Sequence, residues 1–259
     1  MSDRNVRIDT RLVEERLIRF IRTEFKKRGF RKAVFGLSGG VDSSLVAFLL
    51  AKSLGAHNVL ALSLPYKTTS RHSGRDFKNI VTRLGIRSRI MPITPMVDVY
   101  FRKFPHADRI RRGNKMARER MSILYDQSRV EHALVVGSGN KTEILLGYAT
   151  LFGDTACAIN PIGDLYKTHV RQLARHMGVP ENIIQKPPTA DLWPHQTDED
   201  ELGMAYETMD AILYLLVDRK FSLSQVAHKG YRRTDVKKIM VRVEKFAYKR
   251  ALPAVASIS

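Results

Sequence analysis

The chain has 259 residues and a net charge of +18, because 44 lysines and arginines outnumber 26 aspartates and glutamates. No apolar run approaches the roughly 20 residues of a membrane span, the charged start does not match a signal peptide, and the single cysteine, Cys157, excludes an internal disulfide. We therefore expect a cytoplasmic protein with no membrane association. The positive charge favours anionic partners such as nucleotides or nucleic acid, although spread-out basic residues also fit a general compositional bias.

Short apolar runs alternate with amphipathic stretches over the first 160 residues. This pattern predicts strands over 32–37, 58–64, 87–93 and 133–138, and helices over 10–28 (capped by Thr10), 42–54, 70–84, 95–102, 114–129 and 141–147. Alternating apolar strands and helices indicate an α/β doubly wound parallel sheet. Further helices are predicted over 167–177, 197–218, 222–229 and 234–250. We predict one domain over 1–259, with a core at about 30–180 and a helical C-terminal part at about 181–259.

A glycine-rich turn, SGGVDSS, follows the first predicted strand and precedes a helix. Gly39 and Gly40 allow a ligand to approach the backbone closely, and the helix start offers free N–H groups. The lysine that closes the common ATP-binding loop is absent, which argues against transfer of the γ-phosphate. Asp42 among phosphates requires a cation, and Mg²⁺ is the natural one. The alternative is an aspartate that caps the helix in an ordinary tight turn.

The SGGVDSS turn resembles the pyrophosphatase loop of the N-type ATP pyrophosphatases. Further segments resemble the ammonia-dependent NAD synthetases within that family: LPYKTTS, GNKMARERM, VVGSGNKTE, GDTACAINPIGDLYKTHV and PPTADLWPHQTDEDELGMAY. The resemblance covers about residues 12–253. It implies the adenine nucleotide alpha-hydrolase-like fold, a homodimer, and the conversion of deamido-NAD, ATP and ammonia into NAD, AMP and pyrophosphate through an acyl-adenylate.

The same resemblance implies roles for individual residues. The ATP contacts would be Gly36, Leu37, Ser38, Gly39, Gly40, Val41, Asp42, Ser43, Ser138, Lys167 and Thr189. Asp42 and Glu143 would hold Mg²⁺. The deamido-NAD contacts would be Arg118, Arg120, Asp154 and Lys249. The catalytic residues would be Asp42, Lys167 and Asp154, with Asp154 near the carboxylate and the incoming ammonia.

Each of these residues also has an ordinary structural interpretation. Glu143 and Lys167 would then be surface residues, and Thr197 would cap a helix whose first-turn acids face its positive end. Arg118 and Arg120 are two apart and face different ways on a helix, so we expect one of them to be structural.

The segment GYATLFGDTACA departs from the family pattern GYFTKxGDGAxD. Ala149 replaces an aromatic residue, Leu151 a lysine and Ala158 an aspartate. The resemblance assigns that lysine and aspartate to the deamido-NAD side, and each lost ionic hydrogen bond costs about 1.5–3 kcal/mol. The ATP half of the pattern is therefore intact, whereas the acceptor half is altered.

Two interpretations of this departure stay open. In one, the protein is an NAD synthetase with a repacked pocket, in which Arg171, Arg175 or Lys186 supplies the missing charge. In the other, it is a related ligase that adenylates another carboxylate or RNA, although no appended RNA-binding module is visible. A protein that only binds nucleotide is disfavoured, because Asp42 and Glu143 are both retained.

Overall fold

The structure is a computed structural model that describes residues 6–193 and 196–258. Within these residues one sheet contains the strands β1 (Lys32–Gly36), β2 (Val59–Ser63), β3 (Arg87–Ile90) and β4 (Ala133–Val136). The α-helices are α1 (Thr10–Lys27), α2 (Val41–Leu54), α3 (Arg71–Leu84), α4 (Thr94–Phe101), α5 (Arg109–Glu131), α6 (Lys141–Leu146), α7 (Lys167–Met177), α8 (Glu181–Ile184), α9 (Asp198–Leu202), α10 (Tyr206–Leu213), α11 (Leu223–His228) and α12 (Arg233–Lys245). A π-helical turn, Tyr214–Asp218, extends α10, and 3₁₀ turns cover Ala56–Asn58 and Ala247–Arg250.

The strand order β3-β2-β1-β4 determines where a ligand site can form. All neighbouring strands are parallel, with Gly36 opposite Leu62 and Phe35 opposite Val136. The chain builds outward from β1 to β3 and then crosses back to place β4 on the other side of β1. The crevice between the carboxyl ends of β1 and β4 is therefore a topological switch point, where open α/β sheets bind their ligands.

Helices cover both faces of the sheet, as the doubly wound prediction requires. Alternate β1 side chains point to opposite faces: Ala33 and Phe35 pack in the cluster with α1, α2 and α7, whereas Val34 packs in the cluster with α4 and α5. The predicted α/β class is confirmed by this arrangement. The edge strand β3 differs from the prediction of buried strands, because all four of its residues are exposed.

A third apolar cluster joins the C-terminal helices to the middle of the chain. Leu146 of α6 and Tyr166, which precedes α7, are buried against residues of α9–α12 such as Tyr206, Met209 and Ile239. The C-terminal helices therefore pack directly onto the two short segments that carry Glu143 and Lys167. The predicted domain division near residue 181 stays a prediction.

Several predicted boundaries differ from the structure for local reasons. Asp9, not Thr10, caps α1, because its side chain accepts a hydrogen bond from Leu12 N at 3.0 Å. Asp108 caps α5 in the same way, so that helix begins earlier than predicted. The single helix predicted over 197–218 is interrupted, because Gly203 has a φ of +68° and ends α9.

Candidate active site

The turn after β1 is shaped by its glycines and serines. Gly39 has a φ of +80°, and a Cβ atom there would lie 2.8 Å from the carbonyl oxygen of Ser73. Ser38 N donates to Ser43 Oγ at 3.2 Å, and Ser43 Oγ donates to the Gly40 carbonyl at 3.2 Å. The turn leads directly into α2, whose first N–H groups have no partner within the helix. It is therefore a preformed cradle of donors for an anion.

Four polar side chains from three segments meet beside this turn. Lys167 Nζ lies 2.5 Å from Asp42 Oδ2 and 3.5 Å from Glu143 Oε1. Asn140 Nδ2 donates to the other Asp42 oxygen, Oδ1, at 3.0 Å. The Lys167 side chain is 3% exposed, whereas Asp42 and Glu143 keep 16% and 19% exposure. The ammonium group is thus enclosed, and the two carboxylates remain open to a ligand.

The local sequence explains how Glu143 reaches this cluster. Asn140 follows the turn after β4 and caps α6: its Oδ1 accepts from Glu143 N at 3.0 Å, and its own N donates to Glu143 Oε2 at 3.2 Å. Lys167 is the first residue of α7, and β1 and β4 are neighbours. Asp42 and Lys167 are 125 residues apart in the sequence. They meet because β1 and β4 are neighbours and because α2 and α7 pack in the same apolar cluster.

The electrostatics of the cluster follow from burial and from opposed charges. Burial alone would lower the Lys167 pKa, but the Asp42 and Glu143 carboxylates outweigh it, so the pKa is raised and the ammonium stays charged. Burial raises the Glu143 pKa, and the Asp42 and Asp198 carboxylates add to this against the effect of Lys167. Ionised together, Asp42 and Glu143 carry two negative charges against the single positive charge of Lys167, so an additional cation would favour the ionised form of Glu143.

The sequence did not single out Asp198, which lies beside these groups. It is buried, and its two oxygens accept hydrogen bonds from Tyr148 OH and Tyr206 OH, both at 3.1 Å. The Lys167 ammonium also lies 5.2 Å from the Tyr206 ring centre. Thr197 does cap α9, as predicted, because its hydroxyl accepts from Asp200 N at 3.2 Å. Asp198 itself, however, faces inward, and no sequence pattern distinguished it from the neighbouring first-turn acids.

The two arginines of α5 point in different directions, as their spacing predicts. Arg120 Nε donates to the Leu64 carbonyl at 3.0 Å, just beyond the carboxyl end of β2. Burial lowers the pKa of Arg120, against the effect of the Asp191 and Asp154 carboxylates. Arg118 is exposed, and its Nε donates to the Leu151 carbonyl at 3.1 Å. Arg120 is therefore the arginine that lies at the carboxyl ends of the strands, where the sequence predicts a ligand site.

The remaining predicted residues lie around this edge. Asp154 Oδ1 accepts from Thr150 N at 2.9 Å, and Lys249 Nζ donates to the carbonyls of Gly147 and Ala149 at 2.8 and 2.7 Å. Burial lowers the pKa of Lys249, against the opposing effect of the Asp154 carboxylate, so Lys249 and Asp154 are electrostatic neighbours.

Two further predicted ATP contacts lie in turns and are not enclosed. Ser138 is half-buried in the turn after β4. Thr189 is exposed, and its Oγ1 accepts from Asp191 N at 3.0 Å. Both side chains are accessible to a ligand, and their roles as ATP contacts stay predictions.

The three basic residues suggested as replacements for the missing lysine have other partners. Arg171 pairs with Glu207 at 2.5 Å, Arg175 with Glu181 at 3.0 Å, and Lys186 with Asp76 at 3.1 Å. These ion pairs argue against that hypothesis. Arg118 is a basic residue that does contact position 151, because its Nε donates to the Leu151 carbonyl.

The preformed anion cradle and the carboxylate–lysine cluster at the switch point agree with comparisons to known proteins. The family model described as NAD synthase matches residues 13–253. The chain belongs to the NAD synthase family. It is 49% identical over 259 residues, 100% of this chain and 94% of the relative, to the NH(3)-dependent NAD(+) synthetase of Chlorobaculum parvum. It is 50% identical over 246 residues, 95% of each chain, to that of Fusobacterium nucleatum.

Solved structures show the same fold as this NAD synthase family member. An NH3-dependent NAD synthetase from Campylobacter jejuni matches with a TM-score of 0.82 and 31% identity, covering 96% of this chain and 100% of the other. An NMN synthetase from Francisella tularensis matches with a TM-score of 0.86 and 28% identity, covering 97% and 100%. The fold is the adenine nucleotide alpha-hydrolase-like fold of NAD synthetases.

Two negative findings concern only the part of the chain that the structure describes. No helix there is both long and apolar enough to cross a membrane. No three His, Cys, Asp or Glu side chains within residues 6–193 and 196–258 group so as to hold a metal by themselves. A metal at Asp42 and Glu143 would therefore need further oxygens, such as those of phosphate and water.

Proposed function

We infer that the chain forms NAD from deamido-NAD, ATP and ammonia, and releases AMP and pyrophosphate. Relatives near 50% identity over the whole chain have the corresponding name. The observation that carries the inference at the level of residues is the cluster of Asp42, Glu143 and Lys167 beside the SGGVDSS turn. Such a cluster stabilises negative charge that develops on a leaving pyrophosphate.

In the first step, a carboxylate oxygen of deamido-NAD attacks the α-phosphorus of ATP. The bond from that phosphorus to the bridging oxygen breaks, pyrophosphate leaves with the electron pair, and an acyl-adenylate remains. The N–H groups at the start of α2 and the Ser38 hydroxyl would hold the leaving pyrophosphate, and Ser43 would shape the turn through its bond to the Gly40 carbonyl. Lys167, enclosed and fully charged, compensates the charge at the reacting phosphorus.

Asp42 and Glu143 would hold Mg²⁺, which their donor set fits. Both are carboxylates, the hard oxygen ligands that Mg²⁺ prefers, and both keep partial exposure. Mg²⁺ is commonly bound by one or two carboxylates together with substrate phosphates, in agreement with the absence of a closed metal cage among the described residues. When bound, the ion would neutralise phosphate charge as a Lewis acid.

In the second step, ammonia attacks the carbonyl carbon of the acyl-adenylate. The bond from that carbon to the AMP oxygen breaks, and AMP leaves with the electron pair. The nitrogen then loses a proton, and we assign its acceptance to a carboxylate oxygen of Asp154. The bond from Thr150 N orients Asp154, and Lys249 and Arg120, which are electrostatic neighbours of Asp154, would bind the negatively charged acceptor.

A homodimer is part of the proposal, with a second copy covering the exposed apolar side of α4 and α5. Val99, Tyr100 and Phe104 are exposed there, as is Ile110 on α5. Size-exclusion chromatography with light scattering tests this, and a monomer at micromolar concentration would contradict it. The cytoplasmic location stays a prediction from composition.

A second acceptor, nicotinate mononucleotide, is favoured by one observation each from structure and sequence. The chain matches the Francisella tularensis NMN synthetase with a TM-score of 0.86, and Leu151 and Ala158 lack charges that the family pattern has on the acceptor side. Both acceptors present the same nicotinate carboxylate, so the adenylation chemistry would not differ.

The test is to measure pyrophosphate release from ATP, Mg²⁺ and ammonium with deamido-NAD, with nicotinate mononucleotide, and without an acceptor. The expected result is stimulation by deamido-NAD with one NAD formed per pyrophosphate. Stronger stimulation by nicotinate mononucleotide would reassign the acceptor, and no stimulation by either would overturn the proposal. Asp42→Asn should abolish release, which distinguishes an enzyme from a contaminating activity.

A further inference from the structure

Asp210, on α10, is a buried carboxylate that no step of the reaction uses. It is 0% exposed and lies between the first turns of α6 and α7. Thr142 Oγ1 donates to its Oδ1 at 2.6 Å, and Thr168 N donates to its Oδ2 at 2.8 Å. These two partners are the sequence neighbours of Glu143 and Lys167. One carboxylate thus binds both of the short segments that supply the phosphate-side cluster.

The hydrogen bonds continue from Asp210 to Lys167 itself. Thr142 Oγ1, while it donates to Asp210, accepts from Lys167 N at 3.1 Å. The threonine hydroxyl therefore links the backbone of α7 to the first turn of α6. Because Glu143 follows Thr142 directly, the distance between the Glu143 carboxylate and the Lys167 ammonium, 3.5 Å, depends on this link.

A second aspartate of the C-terminal helical part also contacts the starts of α6 and α7, on their more exposed side. Asp218 accepts from Lys141 Nζ at 2.7 Å and from Tyr166 OH at 3.0 Å. Lys141 begins α6 and Tyr166 precedes α7. Asp218 is 31% exposed, so this outer contact is a weaker constraint than the buried one at Asp210.

Stability alone does not explain a fully buried carboxylate at this position. Burial of a charge is costly, and an apolar side chain of similar volume in its place is often neutral or stabilising. Burial raises the pKa of Asp210 to about 6, against the hydrogen bonds from Thr142 and Thr168, which lower it. Unlike an apolar side chain, the carboxylate has two oxygens that each accept a directed hydrogen bond, one from α6 and one from α7.

We propose that Asp210 is a positioning residue for ATP activation, which fixes the Glu143 carboxylate relative to the Lys167 ammonium through Thr142 and Thr168. This inference rests on the proposed function, since it assigns a purpose to the geometry of the same site. Asp210 touches neither substrate nor metal and acts only through these two segments.

Three variants test the link. Asp210→Asn keeps one acceptor oxygen and loses the other, and Thr142→Val replaces the linking hydroxyl with a methyl group of the same shape. A displacement of about 1 Å at a reacting group costs on the order of 100-fold in rate, so we expect kcat to fall by about 10- to 100-fold in both variants. Thr142→Ser restores the hydroxyl and should restore kcat.

A matched control is Glu14→Gln, which removes a buried carboxylate remote from the site. Glu14 binds His176 Nε2 at 2.8 Å and also pairs with Lys52, so it joins α1, α2 and the end of α7. We expect it to lower the melting temperature without a loss of kcat at a temperature where all variants are folded. The comparison therefore distinguishes positioning from general destabilisation.

Calorimetric binding of ATP in the presence of Mg²⁺ supplies a readout that does not depend on turnover. Weaker Mg²⁺-dependent binding in Asp210→Asn and Thr142→Val, with recovery in Thr142→Ser, supports the proposal. Unchanged affinity and unchanged kcat, with only a lower melting temperature, would overturn it. If the unmodified chain forms no NAD, the proposed function fails, but the binding comparison still decides the role of Asp210.

Discussion

Replacement of Asn140 separates two contributions that this side chain makes at once. Its Oδ1 caps α6 by accepting from Glu143 N, and its Nδ2 donates to Asp42 Oδ1. Asn140→Ala removes both bonds. Asn140→Ser keeps a hydroxyl that caps a helix as well as asparagine does, but it is too short to reach Asp42.

The expected magnitudes follow from these two bonds. Loss of a cap costs about 1 kcal/mol of unfolding free energy, and loss of a hydrogen bond to an ionised group costs about 1.5–3 kcal/mol. The lower end applies here, because 16% of the Asp42 side chain is exposed. We expect Asn140→Ala to lose roughly 2.5 kcal/mol in total, which lowers the melting temperature of a chain of this length by about 5–10 °C. Asn140→Ser should lose about 1 kcal/mol less.

Thermal unfolding and pyrophosphate release, measured on the same samples, test this reasoning. Both variants should lose turnover to a similar extent, because Asp42 loses its orienting donor in both. Equal melting temperatures for the two variants would show that the cap has no value. Full turnover in Asn140→Ser would show that the bond to Asp42 does not matter, and either result would refute the interpretation.

Three other predictions concern separate parts of the chain. Gly39→Ala should weaken ATP binding in a titration, because alanine in this left-handed backbone costs about 1–2 kcal/mol. Gly74→Ala is the control, since a Cβ atom there would lie in open space on α3. It should leave ATP binding intact and slightly stabilise the fold. Burial lowers the pKa of His169 from 6.5 to about 4, so the unfolded chain gains a proton first and stability falls as pH drops from 6.5 to 4. At pH 5 the contribution of His169 lowers the free energy of unfolding by about 2 kcal/mol. His169→Gln should remove this contribution when urea unfolding is compared at pH 7 and pH 5. The same difference between the two pH values in the variant and the unmodified chain would contradict the prediction. Arg120→Gln should raise the KM for a nucleotide substrate more than Arg118→Gln does, because Arg120 lies at the edge of the sheet; equal effects in steady-state kinetics would argue otherwise.

The parts of the site that are local in sequence could be predicted. The glycine pair and Asp42 lie between a strand and a helix, so a few neighbouring residues are enough to predict a phosphate-binding turn. The sequence predicts that Thr197 caps a helix whose first turn is acidic, and Thr197 does cap α9. The alternation of strands and helices likewise predicts the parallel sheet, since each element carries its own periodicity.

The parts that depend on distant contacts could not be predicted from the sequence. Asp210 is 68 positions from Thr142, and nothing around it differs from the face of an ordinary helix. Asp198 looks like any first-turn acid, and only the packing of Tyr148 and Tyr206 reveals that it faces inward. The ion pair of Lys186 with Asp76, which argues against Lys186 as a replacement for the missing charge, spans 110 positions and likewise could not be predicted.

The contact between α10 and the starts of α6 and α7 has a consequence for synthesis of the chain on the ribosome. Residues 42, 143 and 167 are translated well before residues 210 and 218, so the phosphate-side groups emerge without the aspartates that fix them. Domains fold as units, and contacts between distant segments form late. We therefore expect a nascent chain that ends before α10 to bind nucleotide poorly, and ATP binding to begin only after α10 has been translated. ATP would then stabilise the finished fold as a whole, because its affinity is linked to global folding.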